Sequence, residues 1–208
     1  MKILQINDSV FPYVAYIPDE IGEKPALLVQ LHGAGERGNG GKELMKVTLH
    51  GFSKVVNDGN FKNAVLIMPQ CPDDSTWLAR IESIKRFIDE MIEKFNADTD
   101  RLYLCGLSMG GYGTWNTATA YPELFAAILP CCGGGQAWAA SDLTMPVWAF
   151  HGEIDPIVPV SHTLEMADRL KDNPNFRMTV LEGVGHNAWD YAFTEETLNW
   201  ILSHKKNM

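Results

Sequence analysis

The stretch LCGLSMGGYGTW, residues 104–115, sets one serine among four glycines. A serine hydroxyl is a weak nucleophile at neutral pH. It gains that role only with a base in reach, an acid to orient the base, and N–H donors for the oxyanion that forms. Gly106-Leu107-Ser108-Met109-Gly110 has the G-x-S-x-G spacing, with the apolar run RLYLC before it and a helical pattern after it. In that context the serine occupies a tight strand-to-helix turn that leaves its hydroxyl exposed. The competing reading is a turn or helix-cap serine, whose hydroxyl serves only nearby backbone.

Three further positions supply what Ser108 would need. Of six histidines, His186 in LEGVGHNAW follows the last apolar run and precedes the C-terminal helical segment, which suits a loop base. His32 and His151 sit at strand ends in LHG and FHG, where a histidine more often fixes a loop. His50, His162 and His204 have polar surroundings. Asp155, in FHGEIDPIVP, lies four residues past His151 and is the acid best placed to fix the tautomer of a histidine; Glu153 is its nearest rival. The glycine-rich LHGAGERGNGGKEL lets backbone N–H groups approach a reaction centre, so Ala34 and Met109, the residue after the serine, are the expected oxyanion donors. That loop lacks both G-x-x-x-x-G-K-[ST] and G-x-G-x-x-G, which argues against a phosphate cradle.

Positioning these residues requires strands that end together. Runs beginning at Ala26, Ala64, Arg101, Phe125, Met145 and Phe176 are mostly apolar without strict alternation as a set, and stop at glycine, proline or polar residues. Strands covered on both faces look like this, as in a parallel sheet. Between them, ESIKRFIDEMIEKF places Ile84, Phe87, Ile88, Met91, Ile92 and Phe95 on one helical stripe. Weaker helical patterns cover 111–121, SHTLEMADRLK and EETLNWILSHKK. The alternation predicts an α/β fold with a mostly parallel, doubly wound sheet. YVAYIP near the N-terminus is expected to be an outer antiparallel strand. No linker divides the chain, so residues 1–208 are expected to form one domain without a large cap.

The bulk properties narrow the function classes. The chain has 208 residues, 46% of them hydrophobic, and a formal charge of -9. That charge argues against nucleic acid, whose binding depends on lysine and arginine neutralising phosphates. No run approaches a membrane span, and the N-terminus meets Asn7 and Asp8 before an apolar signal region develops, so a cytoplasmic protein is expected. Cys71, Cys105, Cys131 and Cys132 lack metal or redox spacing and read as reduced, structural thiols.

The blocks LHGAGERG (31–38), PQCP (69–72), GLSMGGYGTW (106–115), HGEIDPIVP (151–159) and GHNAW (185–189) run through most of the chain. In sequence and order they resemble the serine hydrolases of the α/β-hydrolase superfamily, most closely the phospholipase/carboxylesterase-like group related to feruloyl and polyhydroxybutyrate esterases. The resemblance implies a carboxylic-ester hydrolase with Ser108 as nucleophile, His186 as base and Asp155 as acid, and neither a metal nor an organic cofactor. Without a cap the site should be open, which suits an ester on a polysaccharide, peptide or other bulky leaving group better than a wholly enclosed small substrate. Trp77, Trp138 and Trp189 are candidate substrate contacts, with ordinary packing as the alternative; Trp115 is expected in the core. Glu36 and Arg37 either bind a polar group or pair with each other. Acyl transfer or peptide cleavage on the same residues, and a noncatalytic protein that kept the fold, are the rival functions. Oligomeric state is not legible here.

Overall fold

The computed structural model describes residues 1–206. Its eight-stranded sheet consists of β1 (Lys2–Ile6), β2 (Tyr13–Ile17), β3 (Ala26–Leu31), β4 (Ala64–Pro69), β5 (Leu102–Leu107), β6 (Ala127–Cys131), β7 (Val147–Gly152) and β8 (Phe176–Leu181). The strand order is β1-β2-β4-β3-β5-β6-β7-β8. β3 to β8 run parallel, and β1 and β2 form the antiparallel edge beside β4. All six apolar runs are strands, and YVAYIP contains the antiparallel β2.

Helices cover both faces, which is why the central strands lack alternation. α1 (Ile81–Phe95), α2 (Met109–Ala120) and α3 (Ser161–Leu170) lie on one side; short α4 (Trp189–Ala192) and α5 (Glu195–Leu202) lie on the other, with 3-10 turns at Gly41–Thr48 and Gly51–Lys54. The α1 stripe buries Ile84, Phe87, Ile88 and Met91, with Phe87 edge-on to Phe11 and Tyr13. Its helix stops at Asn96, which takes left-handed backbone at φ 49° and so redirects the chain toward β5. Trp115 is fully buried on α2, as expected of core.

Two features depart from the sequence pattern. β1, KILQI, is mostly exposed along the sheet edge and therefore lacks the continuous apolar signature of the inner strands. Between β3 and β4 the chain makes only 3-10 turns, at Ala34–Glu36, Gly41–Thr48 and Gly51–Lys54. The segment between β6 and β7 holds one 3-10 stretch, Ala137–Asp142, and no cap is inserted there. No helix among the described residues is long and apolar enough to cross a membrane.

Candidate active site

Parallel register brings the carboxyl ends of β3, β5 and β6 to one edge: Leu31 pairs with Gly106, and Leu107 with Cys131. The chain turns sharply at Ser108, which joins β5 to α2 at φ 53° and ψ -117°. A positive φ on a non-glycine residue is strained, and the surrounding contacts hold it. Ser108 N–H donates to Cys131 O at 2.9 Å, while Ser108 O accepts from Tyr112 N–H at 3.1 Å. Its hydroxyl makes no side-chain cap to the helix it precedes.

Ser108 Oγ lies 2.8 Å from His186 Nε2, and His186 Nδ1 lies 2.7 Å from Asp155 Oδ2. With the histidine neutral, Oγ–H donates to Nε2 and Nδ1–H donates to the carboxylate, a continuous relay across three strand ends. Asp155 is anchored from its other oxygen: Oδ1 accepts the N–H groups of Ile157 and Val158, each at 2.9 Å. Burial works against its charge, but His186 and those two amides hold its carboxyl below the usual carboxylate value. His186 is held above its ordinary value by the Cys132 sulfur and the Asp155 carboxylate, with burial opposing them. Glu153, the rival acid, instead accepts from Gly183 N–H.

Ala34 and Met109 each open a helical turn, where the first N–H groups have no intrahelical acceptor. A side chain built on Gly33 would come within 3.7 Å of Ser108 Cβ, so the loop bearing Ala34 runs directly beside the serine. His32 fixes this loop. Its Nδ1–H donates to Gly33 O at 2.6 Å, its Nε2 accepts Cys71 N–H at 2.9 Å, and Trp77 Nε1–H donates to His32 O at 3.0 Å. These partners require the neutral ring, and burial depresses His32 to about 4.

That depression has a thermal consequence. The unfolded histidine binds a proton below about pH 6.5 while the folded one stays neutral, so stability is present above that pH and is lost as pH falls toward the folded value. The loss is expected to reach about 3 kcal/mol near pH 4. Melting curves across this window should fall more steeply for wild type than for His32→Gln; parallel curves would contradict the assignment.

The tryptophans divide. Trp77 is fully buried against Phe11 and His32 with its indole N–H committed, so it is a loop anchor and not a ligand platform. Trp189 is half-buried, edge-on to His186 at 5.0 Å and tilted against His50 at 5.6 Å, which puts it at the site's rim. Trp138 is 79% exposed beside a groove of about 590 Å³ that shares Leu78, Asn116 and Gln136 with a cleft containing Tyr112, one helical turn beyond Ser108. Arg37 does not pair with Glu36: it donates to Ala34 O and Ser75 O, while buried Glu36 Oε2 has no hydrogen-bond partner.

Sequence reasoning passed over the group behind Asp155. Cys132, His151 and Asp155 bring their ligand-type atoms within 4.8 Å of one another. Hydrogen bonds already engage both Asp155 oxygens and both His151 nitrogens, so the cluster has the chemistry of a network and not of a metal centre. The short HGEID spacing was the available signal, since it places His151 and the acid together at the end of one strand. All four cysteines are free and buried.

The sheet order and the placement of this site at the strand ends are those of an α/β-hydrolase. The chain belongs to the phospholipase/carboxylesterase family, whose profile matches residues 14–201. It is 30% identical over 152 residues to feruloyl esterase B of Neurospora crassa, covering 64% of this chain and 49% of that protein. It is also 30% identical over 147 residues to the bifunctional acetylxylan esterase/xylanase XynS20E of Neocallimastix patriciarum, covering 65% of this chain and 20% of that one. The chain thus spans less than half the length of either relative. A solved thermostable esterase superposes with a TM-score of 0.86 at 28% identity, covering 99% of this chain and 63% of that structure.

Proposed function

We propose that the protein hydrolyses carboxylic esters through an acyl-enzyme, with Ser108, His186 and Asp155 as its triad. The observation that carries this reading is the relay from Ser108 Oγ through His186 to Asp155 Oδ2, flanked by two N–H groups at the starts of helical turns. His186 Nε2 takes the hydroxyl proton as Oγ attacks the ester carbonyl; the oxyanion rests on the Ala34 and Met109 N–H groups. Collapse of the intermediate returns the proton to the leaving alcohol and leaves an acyl-serine. Water, deprotonated by His186, then attacks the acyl carbon, and the proton passes back to Ser108 as the carboxylic acid departs. Asp155 keeps the imidazole in the required tautomer throughout.

The substrate in this reading is an ester on a bulky, carbohydrate-type alcohol. Support comes from the exposed Ala34 and half-buried Ser108, which leave the site open, and from the relatives' names. Trp138, with Asn116, Gln136 and Asp142 near it, offers an indole face and polar partners for a sugar along the groove. Trp189 beside His186 contacts the reacting end. The four unpaired cysteines support a reducing, cytoplasmic setting.

A panel of small aryl esters, acetyl and feruloyl sugar esters, and peptides tests this, with added alcohols to detect acyl transfer. Sugar esters should be turned over fastest, with carboxylic acid as the main product. Trp138→Ala should raise KM for sugar esters by about tenfold, a loss of roughly 1.4 kcal/mol, and leave aryl acetates unchanged. Equal effects on both classes would remove the groove from the substrate path; peptide cleavage alone would overturn the ester assignment.

A further inference from the structure

His151 lies on β7 with its side chain fully buried, and the mechanism above gives it no task. Its hydrogen bonds define its protonation. Nε2 lies 2.9 Å from Val158 O, a carbonyl with lone pairs only, so Nε2 carries a hydrogen. Nδ1 lies 2.6 Å from Thr163 Oγ1, and that same Oγ1 lies 2.6 Å from Gly133 O. The threonine hydroxyl has one hydrogen to give. If it goes to Nδ1, two oxygens face each other at 2.6 Å with nothing between them. If it goes to Gly133 O, every atom is satisfied, and Nδ1 must donate. The ring then bears hydrogens on both nitrogens and a positive charge. Its counter-ion is Asp155, whose Oδ2 stands 3.4 Å from Nε2 with both side chains fully buried. That oxygen therefore lies between two imidazoles, His186 at 2.7 Å and His151 at 3.4 Å.

We propose that His151 is a buried imidazolium and a positioning residue, which keeps Asp155 ionised and moderates how strongly that carboxylate draws a proton onto His186. The catalytic part of this inference rests on the triad reading; the protonation of His151 does not. Protonating His186 in wild type places a second cation on a carboxylate already partnered, whereas without His151 the new cation would have Asp155 to itself. The cation thus leaves His186 free to act as base at lower pH.

Other groups around the pair enter the same balance. Cys132 at the end of β6 lies beside the cluster, with its sulfur 3.8 Å from that of Cys131. Its thiol is drawn down to about 5, first by the Cys131 thiol and then by His186 and the His151 charge, with burial opposing. From α3, His162 follows Ser161 and bonds to Tyr112 of α2, whose phenol is raised by burial and by the Asp155 charge. Glu153 is engaged by Gly183 N–H, and Asp190 on α4 by the Asn187 amide.

Two measurements on the full chain test the proposal. In protein labelled with 15N-histidine, proton–nitrogen correlation should show both His151 nitrogens bonded to hydrogen at neutral pH. One bare His151 nitrogen at neutral pH overturns the proposal, and this readout holds even for a protein with no hydrolase activity. The acid limb of kcat/KM should move to higher pH by about one unit in His151→Gln. Thr163→Val, which removes the Nδ1 acceptor together with the donor to Gly133 O, should shift it the same way should His151→Gln fail to fold, and Thr163→Ser, which keeps both, should retain the wild-type limb. A lower kcat with an unmoved limb would reduce His151 to packing and overturn the positioning role.

Discussion

Ser108→Ala is expected to lower ester hydrolysis by about 10^4 to 10^6-fold and to abolish labelling by a fluorophosphonate, with the fold intact. The magnitude follows from the arrangement: His186 would keep its bond to Asp155, but nothing would remain for it to activate. His186→Ala should cost nearly as much, and the double variant little more, because the two residues act on one proton. Backbone geometry adds a separable expectation. Ser108 sits at φ 53°, so Ser108→Ala keeps the strain and Ser108→Gly releases it. Both variants should be inactive, with the glycine variant more stable than the alanine one by about 1 to 2 kcal/mol in thermal or denaturant unfolding. Hydrolysis surviving in Ser108→Ala would end the triad reading; equal stability of the two variants would end the claim that the turn stores strain.

The same turn shows what sequence can and cannot reveal. That Ser108, Asp155 and His186 come together was legible because each follows an apolar run that stops at glycine or proline, and buried parallel strands announce themselves by such runs. α1 was legible through its one-sided stripe. α2 was less so, since Gly110, Gly111, Gly113, Thr114, Trp115, Thr117 and Ala118 are all buried and no single stripe stands out. β1 escaped notice because an exposed edge strand needs no apolar continuity. Trp77 illustrates a deeper limit: an indole in a loop at a strand end has the address of a substrate contact, and only its bond to the His32 carbonyl reveals its use. The His151 network lies further beyond reach, because its proton count depends on Thr163, 12 residues later, and on Gly133, 30 residues before that threonine. Composition and spacing carry no record of such a three-way contact.

Gly110→Ala is expected to destabilise the protein by about 3 kcal/mol or more and to lower activity by about 10^2-fold in whatever still folds. A Cβ at Gly110 would stand 2.0 Å from Leu31 O and 2.8 Å from His32 O, both backbone atoms, so no side chain can rotate to make room. Relief requires moving the start of α2 away from the end of β3. That displacement separates the two halves of the site, because Met109 N–H travels with α2 while Ala34 N–H follows β3. Gly111 meets a similar wall, 2.2 Å from Cys131 O, so the helix cannot escape toward β6 either. The informative control is Gly35→Ala on the same loop as Ala34, where an added Cβ meets nothing within 4 Å. Its stability should stay within about 0.5 kcal/mol of wild type. If Gly110→Ala melts and turns over like Gly35→Ala, then close backbone contact does not hold the two N–H donors in register with Ser108. If only Gly110→Ala fails, glycine at this position is required by the distance between a helix and a strand, and the G-x-S-x-G spacing reports a packing constraint as much as a chemical one.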